Sequence, residues 1–218
     1  MRLVVVVVVL IAGALVGCSG DSADDAQPGA SPTAAVAVWL DAVATGDVAA
    51  IDGLVDPTNV ALVAGAENGF TVEQLAAVVE SGLPEATRRS YWSSFAEALA
   101  QVLGVPVDEV GISTSEAFAS GTGQYAAVTV GVDAATSEVI TRLVDGAWQI
   151  DMVATVGPTL AIQIRRVMTD LAATDEDTAE VYARIAVESL GAAHTRSPSR
   201  NLELELEAIE TLPVAPAE

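Results

Sequence analysis

Few side chains in this sequence could carry acid–base chemistry. A general acid or base must have a tuned pKa and lie close to its substrate. The single histidine, His194, falls in a polar segment where a solvent-exposed role is expected. Asp151 is a candidate, but strand alternation turns it away from its aromatic neighbours. Tyr125 and Asp133 could form a phenol–carboxylate pair, although nothing in the sequence joins them. We therefore assign no catalytic residue.

Metal and cofactor sites are not indicated either. The acidic run at 174–180 lacks the glycine and the spaced ligands of a calcium loop, and acidic residues are typical of a helix start. The pairs Arg88-Arg89 and Arg165-Arg166 are expected to form ion pairs, with an anion site as the alternative. Motifs for phosphate binding, serine hydrolysis and zinc hydrolysis are absent. The sequence predicts no metal and no cofactor.

Cys18 is the only cysteine, and its surroundings are informative. One basic residue, Arg2, precedes an apolar run over 3–17 that is too short for a typical membrane-spanning helix. The run ends in Leu15-Val16-Gly17-Cys18, which resembles the lipobox of bacterial lipoproteins. The resemblance implies that residues 1–17 are a lipoprotein signal peptide and that Cys18 is lipidated. The alternative is a buried free cysteine at the end of an anchor helix.

A lipid anchor on Cys18 would hold the protein at the cell envelope, on the extracytoplasmic face of a bacterial membrane. Each buried methylene contributes about 0.8 kcal/mol, so two or three acyl chains bind durably where one is marginal. The anchor is compatible with either the inner or the outer membrane. Residues 18–30 are small, polar and acidic, which predicts a flexible tether.

The charge of the chain restricts its partners. Nine basic residues, all arginine, face 30 acidic ones, for a net charge of -21. Such a surface repels nucleic acid and anionic headgroups, so no nucleic-acid partner is expected. The membrane is a partner through the lipid alone.

Residues 31–156 carry the signals of an α+β domain that begins with helices. Ser31-Pro32 opens an amphipathic helix ending at Gly46, and Asp47 can cap a short second helix. Further helical signals cover 59–66, a capping box from Thr71 to Gln74 continuing to Ser81, and a long stretch from Pro84 to Gly104.

The apolar period changes to two after residue 110, which predicts an antiparallel meander of four strands. Turns are expected at 121–123, at 133–137 and at Asp145-Gly146, where the Asp-Gly pair favours a type I′ hairpin. The fourth strand is predicted over 147–153.

Residues 157–218 are predicted to form a helical extension that begins after Gly157-Pro158. It contains two apolar stripes, at 160–171 and at 181–190, and Gly191 ends the second. A loop is expected over 194–200. The stripes carry too much apolar surface to face water, so we expect them to pack on the domain or on a partner. Residues 201–210 fit either a helix capped by Asn201 or an edge strand, and helix is favoured.

The opening helix pair and the hairpin around Gly146-x-Trp148-x-Ile150 resemble NTF2-like (cystatin-like cone) domains over residues 31–156. The resemblance implies a curved sheet with helices across it, and the generic alternative is an unassigned α+β domain. In a cone the following side chains would converge on a core or an apolar pocket at its open end: Trp39, Trp92, Phe95, Leu99, Trp148, Ile150 and Met152.

Two classes of function follow from this resemblance. The first is a binding or interaction module for a small apolar ligand or an envelope protein. The second is an isomerase- or dehydratase-type enzyme, and a non-catalytic spacer with a filled cone is a third possibility. A dry interior favours binding, whereas a buried carboxylate with an oriented partner favours chemistry.

Cys18→Ala is expected to leave the protein unprocessed or released, because the acyl acceptor is lost. Metabolic labelling with a fatty acid and membrane fractionation measure this directly. A variant that is still cleaved at the same bond and still partitions with membranes would contradict lipidation.

Overall fold

The computed structural model describes residues 29–212, so the lipobox, Cys18 and most of the predicted tether lie outside the described part. Within that range the chain is an α+β fold of eight α-helices and one four-stranded antiparallel sheet. The helices are α1 Pro32–Thr45, α2 Val48–Asp52, α3 Pro57–Asn68, α4 Val72–Ser81, α5 Glu85–Leu103, α6 Met152–Thr174, α7 Glu176–Arg196 and α8 Arg200–Glu210. The strands are β1 Gly111–Ser120, β2 Gly123–Val132, β3 Ala135–Val144 and β4 Ala147–Ile150.

The N-terminal helices begin and end at the predicted caps. The Ser31 side chain accepts a hydrogen bond from the Ala34 N–H, and Gly46 closes α1 in the left-handed conformation. Asp47 caps α2 in the same way. The Thr71–Gln74 capping box is present with both of its reciprocal hydrogen bonds. These local signals are confirmed because each cap satisfies backbone groups that a helix end leaves unpaired.

The four strands follow one another in space in the order β1-β2-β3-β4, as the meander predicts. Asp145 and Gly146 have φ values of 50° and 84°. A type I′ turn requires two positive φ values, so the predicted hairpin is confirmed.

The sheet has a helix-covered face on each side. Cross-strand pairing puts Val128, Val130, Val139 and Ile150 on one face, where all four are buried. α1 contacts all four strands and covers this face. The opposite face carries Arg142, which α7 reaches through an ion pair with Glu188.

The fourth strand is shorter than predicted and the following helix begins earlier. β4 ends at Ile150 because Asp151 caps α6, its Oδ1 accepting from the Ala154 N–H at 2.8 Å. Met152 is therefore the first residue of a helix and does not share a strand face with Trp148 and Ile150. The prediction of a strand over 147–153 was wrong in its second half.

α6 runs without interruption through Gly157 and Pro158, where the sequence predicted a helix start. The boundary drawn between residues 156 and 157 consequently lies inside a helix. Gly157 has a packing role there: a Cβ at this position would stand 2.9 Å from the Leu190 Cδ2 atom. Because Gly157 has no side chain, α6 and α7 can approach closely.

α7 also continues past its predicted end. Gly191 lies within the helix, which extends to Arg196 because Leu190, Ala192 and Ala193 around it are buried. Packing outweighs the roughly 1 kcal/mol propensity cost of the glycine. The loop predicted over 194–200 shrinks to 197–199, while residues 201–210 are helical as favoured, with Ser199 rather than Asn201 as N-cap.

The C-terminal helices share one core with the N-terminal ones. α6 packs on α3, α7 and α8, and Ile164, Met168 and Leu171 are fully buried. The buried Tyr182 donates a hydrogen bond to the Leu75 carbonyl at 3.1 Å. The expectation that the apolar stripes are covered is confirmed. None of the described helices combines the length and apolarity needed to cross a membrane.

Truncation after Val156 is expected to cause aggregation or a large fall in Tm, because it removes most of α6 with α7 and α8 and uncovers α3. Size-exclusion chromatography and thermal unfolding measure this, with truncation after Leu212 as the matched control. A monomeric truncate with an unchanged Tm would contradict the shared core.

Candidate functional site

A buried polar cluster joins three helices at the point where the sheet ends. Asn59 of α3, Asp151 at the start of α6 and Ser189 of α7 are 7, 3 and 1% exposed. Asp151 Oδ1 accepts from Asn59 Nδ2 at 3.0 Å, and Oδ2 accepts from the Ser189 hydroxyl at 2.7 Å. Asn59 Oδ1 accepts from the Val153 N–H at 2.7 Å. We call Asn59, Asp151 and Ser189 the carboxylate cluster.

Burial raises the pKa of Asp151, against the opposing effects of its three hydrogen-bond donors and of the Arg142 charge. A buried carboxylate with oriented partners is the arrangement that would favour an enzyme. Its geometry is nevertheless structural, because both oxygens are occupied by donors of the fold. Asp151 lines neither of the two cavities described below.

The predicted pocket side chains separate into two groups. Trp39, Trp92 and Phe95 pack ring against ring, with centroid distances of 5.5 to 6.3 Å. Tyr91, which sequence reasoning missed, joins them at 5.0 Å from Trp92. Its position four residues before Phe95 on α5, which puts both rings on one helix face, was the available signal. We call Trp39, Tyr91, Trp92 and Phe95 the aromatic cluster.

The other four predicted residues do not belong to the aromatic cluster. Ile150 and Met152 are buried, whereas Leu99 and Trp148 are half-buried at the margin of the core. Trp148 is absent from the ring contacts found within residues 29–212. None of the seven side chains lines the two cavities described here. Trp39, Trp92, Ile150 and Met152 are therefore core residues, whereas Phe95, Leu99 and Trp148 pack half-buried against the core.

Two polar atoms of the aromatic cluster have no hydrogen-bond partner. The Trp39 Nε1 and Tyr91 Oη atoms are buried without a hydrogen bond in the described residues. Burying such atoms costs free energy, so apolar contact and edge-to-face ring packing must stabilise the cluster.

A groove of about 310 Å³, with both apolar and polar walls, lies between the β1–β2 hairpin and α7. Its lining residues are Ser120, Gly121, Thr122, Gly123, Tyr125, Arg142, Val187, Glu188 and Gly191. Sequence reasoning did not assemble it, because its residues come from four elements, β1, β2, β3 and α7, and the whole of α6 separates α7 from the strands. We call it the hairpin groove.

Arg142 is the central side chain of the hairpin groove. Its Nη1 lies 2.8 Å from Glu188 Oε2, and its Cζ lies 5.8 Å from the centroid of the Tyr125 ring. Tyr125 in turn stacks on Phe118 at 5.7 Å. A Cβ on Gly123 would come within 2.6 Å of the Tyr125 ring, so this glycine is required for the ring position.

The chemistry available to the groove is hydrogen bonding rather than proton transfer. Burial raises the pKa of Tyr125 to about 12, although the positive charge of Arg142 opposes the shift. The phenol therefore stays protonated near neutral pH and can act as a donor, not as a base. Arg142 supplies hydrogen-bond donors and Glu188 supplies acceptors, and their opposite charges largely compensate each other.

The other cavity, of about 700 Å³, is a shallow surface along a single helix. All six of its lining residues, between Glu85 and Ser94, belong to α5. One helix face cannot enclose a ligand, so we do not treat it as a site.

The other sequence candidates are also located by the structure. Asp133 lies in the β2–β3 turn, at the opposite end of β2 from Tyr125, so the suggested phenol–carboxylate pair does not form. His194 lies in the last turn of α7, where its Nδ1 accepts from the Ser199 N–H.

Most of the charged groups elsewhere pair or cap as the sequence indicated, but Arg166 forms no ion pair within residues 29–212. Asp175 caps α7, so the acidic run at 174–180 marks a helix start. Arg88 pairs with Asp52, Arg89 with Glu85 and Arg165 with Glu205. Within residues 29–212 no group of three acidic, histidine or cysteine side chains is arranged to hold a metal ion.

Comparison with known proteins returns no similarity: no family model, no curated protein and no solved structure matches the chain.

Asp151→Asn is expected to change how stability depends on pH. Because burial raises the pKa of Asp151 above its unfolded value of about 3.9, its stabilising contribution is complete below that pH and is lost as pH rises through the raised pKa. Wild type should therefore lose stability relative to Asp151→Asn as pH increases. Urea unfolding over a pH series measures the difference.

Asp145→Asn, in an exposed turn, is the matched control for removal of a carboxylate. Asp151→Ala should cost about 3 kcal/mol, since it also leaves the Ala154 N–H, Asn59 and Ser189 without their acceptor. A wild-type to Asp151→Asn difference that is constant with pH, or that changes in the opposite direction, would contradict this role.

Trp39→Ala is expected to lower the free energy of unfolding by about 3–5 kcal/mol, as for a fully buried aromatic side chain. Trp148→Ala should cost clearly less, because Trp148 is half-buried and outside the aromatic cluster. Denaturant unfolding of both variants measures the contrast. Equal losses would show that Trp148 belongs to the packed core.

Proposed function

We propose that this protein is a lipid-anchored extracytoplasmic binding module that holds a small polar ligand in the hairpin groove. The observation that carries the proposal is the Arg142–Glu188 pair, which presents both donors and acceptors beside exposed hairpin residues. The lipobox-like segment before Cys18 supports the anchor. Together they favour a domain that is tethered at the envelope and recognises a solute.

The groove has the size and chemistry of a small-ligand site. Ligand pockets span about 300–1,000 Å³, which places this groove at the lower end. Ser120 and Thr122 add hydroxyls, and Gly121 and Gly123 leave the hairpin backbone accessible. Because the arginine and glutamate charges compensate each other, a neutral ligand rich in hydroxyl groups fits best, such as a monosaccharide.

We also propose that residues 31–156 are built as an NTF2-like cone. The capped α1, the Gly46-Asp47 break, α2 and the antiparallel meander support this arrangement. In this proposal the aromatic cluster fills the interior, and the ligand site lies on the other face of the sheet. That placement replaces an apolar ligand inside the cone with a polar ligand outside it.

A non-catalytic spacer is the second candidate, and the filled core favours it. Trp39 is 0% exposed and Trp92 is 2% exposed, so the α1 side of the sheet leaves little room for a ligand. An enzyme of the isomerase or dehydratase type has less support, because Tyr125 is held protonated and Asp151 is enclosed.

Ligand binding is tested by thermal shift and saturation-transfer NMR on the detergent-solubilised full chain. Glucose and N-acetylglucosamine serve as neutral probes, with glucuronate and glucosamine as charged counterparts. We expect the neutral probes to bind best and Arg142→Gln to abolish their signals, because the groove then loses its central donor.

Arg200→Gln is the matched control, since Arg200 is exposed and pairs with Glu203 at the start of α8. It should leave probe binding unchanged. Absence of binding by every probe to wild type, or equal binding to wild type and Arg142→Gln, would exclude the groove as a saccharide site and leave the spacer.

A further inference from the structure

The two edges of the sheet differ in how they are covered. At the β4 edge, the Trp148 N–H donates to the Gly29 carbonyl at 2.8 Å and the Ile150 N–H donates to the Leu54 carbonyl at 2.7 Å. At the β1 edge, residues 113–117 are all exposed. No backbone hydrogen bond from another element reaches the outer side of β1 in the described part of the chain. β1 is thus an open edge.

The register identifies the backbone groups that this edge presents. Ser120 and Gly123 pair across the two-residue turn at 121–122. Hydrogen-bonded pairs alternate in an antiparallel ladder, so Phe118 and Glu116 also bond to β2. Ser115, Ala117 and Ala119 therefore direct their N–H and C=O groups outward. Such a row is a template for another strand.

The open edge carries little charge in a strongly acidic chain. Of the 39 charged residues of the sequence, one, Glu116, lies within 111–132. Its carboxylate is 2.7 Å from Arg196 Nη1, and Arg196 also binds Glu138. β1 contains no lysine and no proline, the residues that commonly protect sheet edges, although a bulge between Ile112 and Thr114 interrupts its first part.

We propose that β1 pairs antiparallel with β1 of a second copy of this chain, so that two sheets form one continuous eight-stranded sheet. A two-fold axis at Ser115, the centre of the exposed residues 113–117, places Glu116 opposite Thr114 of the other copy and not opposite itself. An edge with a single carboxylate offers little charge to attract an oppositely charged partner. It also adds little to the repulsion between two molecules of net charge -21.

The proposal is tested by thiol cross-linking of the full chain in cells treated with a mild oxidant. Ser115→Cys should give a disulfide-linked dimer, since paired Cα atoms about 5.5 Å apart permit a disulfide, whereas Ala117→Cys lies opposite Ser113 and should cross-link much less. The wild-type chain, with Cys18 alone, gives the background. Asp145→Cys, in the exposed β3–β4 turn near the opposite edge of the sheet, is the matched control and should remain at background.

Specific pairing is tested in the Ser115→Cys chain by second substitutions at Ala117. Ala117→Pro removes an outward N–H without breaking a β1–β2 hydrogen bond, so the dimer should fall several-fold, whereas Ala117→Val should retain it. Ala117→Asp places like charges at the contact and should reduce the dimer equally, which covers a proline variant that folds poorly. Added salt should increase the dimer by screening repulsion between the copies.

The proposal is overturned if Asp145→Cys or Ala117→Cys cross-links as strongly as Ser115→Cys, or if neither Ala117→Pro nor Ala117→Asp lowers the dimer. A dimer that weakens with salt would indicate attraction between charges and would overturn it as well. Ligand binding in the hairpin groove is measured separately, so failure of one proposal leaves the other standing.

Discussion

The Asp151 carboxylate is the interaction on which the arrangement of this fold depends. It ends β4, caps α6 and binds side chains of α3 and α7. Its backbone N–H donates to the Ile140 carbonyl of β3, which ties the same residue to the sheet. Because one enclosed group links an early helix, the sheet and two late helices, residues 31–156 and the C-terminal helices form a single cooperative unit. Removing the acceptor would leave several buried donors unpaired at once.

The two sides of the sheet have different chemistry. On the α1 side, valines and aromatic rings pack without polar partners, and two buried polar atoms of the aromatic cluster lack a hydrogen bond. On the α7 side, Arg142 and Arg196 form ion pairs with Glu188, Glu116 and Glu138. Two of the few arginines, Arg142 of β3 and Arg196 of α7, thus lie over one sheet face. In our proposal a polar ligand is recognised on that face, while the packed core lies on the other face.

The local signals of the sequence were sufficient for most elements and insufficient at two junctions. Ser31, Gly46 and the Thr71–Gln74 box specify helix ends because a cap needs only neighbouring residues. The 150–152 junction was misread because Asp151 continues the strand alternation. Its cap on the Ala154 N–H is local, but its burial against Asn59 and Ser189 comes from the tertiary structure. α7 was ended too early at Gly191 because buried neighbours, not propensity, decide whether a helix continues there.

By itself the sequence determined the α+β class, the four-stranded meander, the Asp-Gly hairpin and the burial of most aromatic side chains. These depend on periodicity and on short-range backbone chemistry. Only the tertiary structure decided that Trp148 lies outside the aromatic cluster, that Arg142 meets Glu188 across the hairpin groove, and that β1 is an open edge. Contacts between residues 46 or more positions apart depend on how helices and strands pack, and no local pattern encodes that packing.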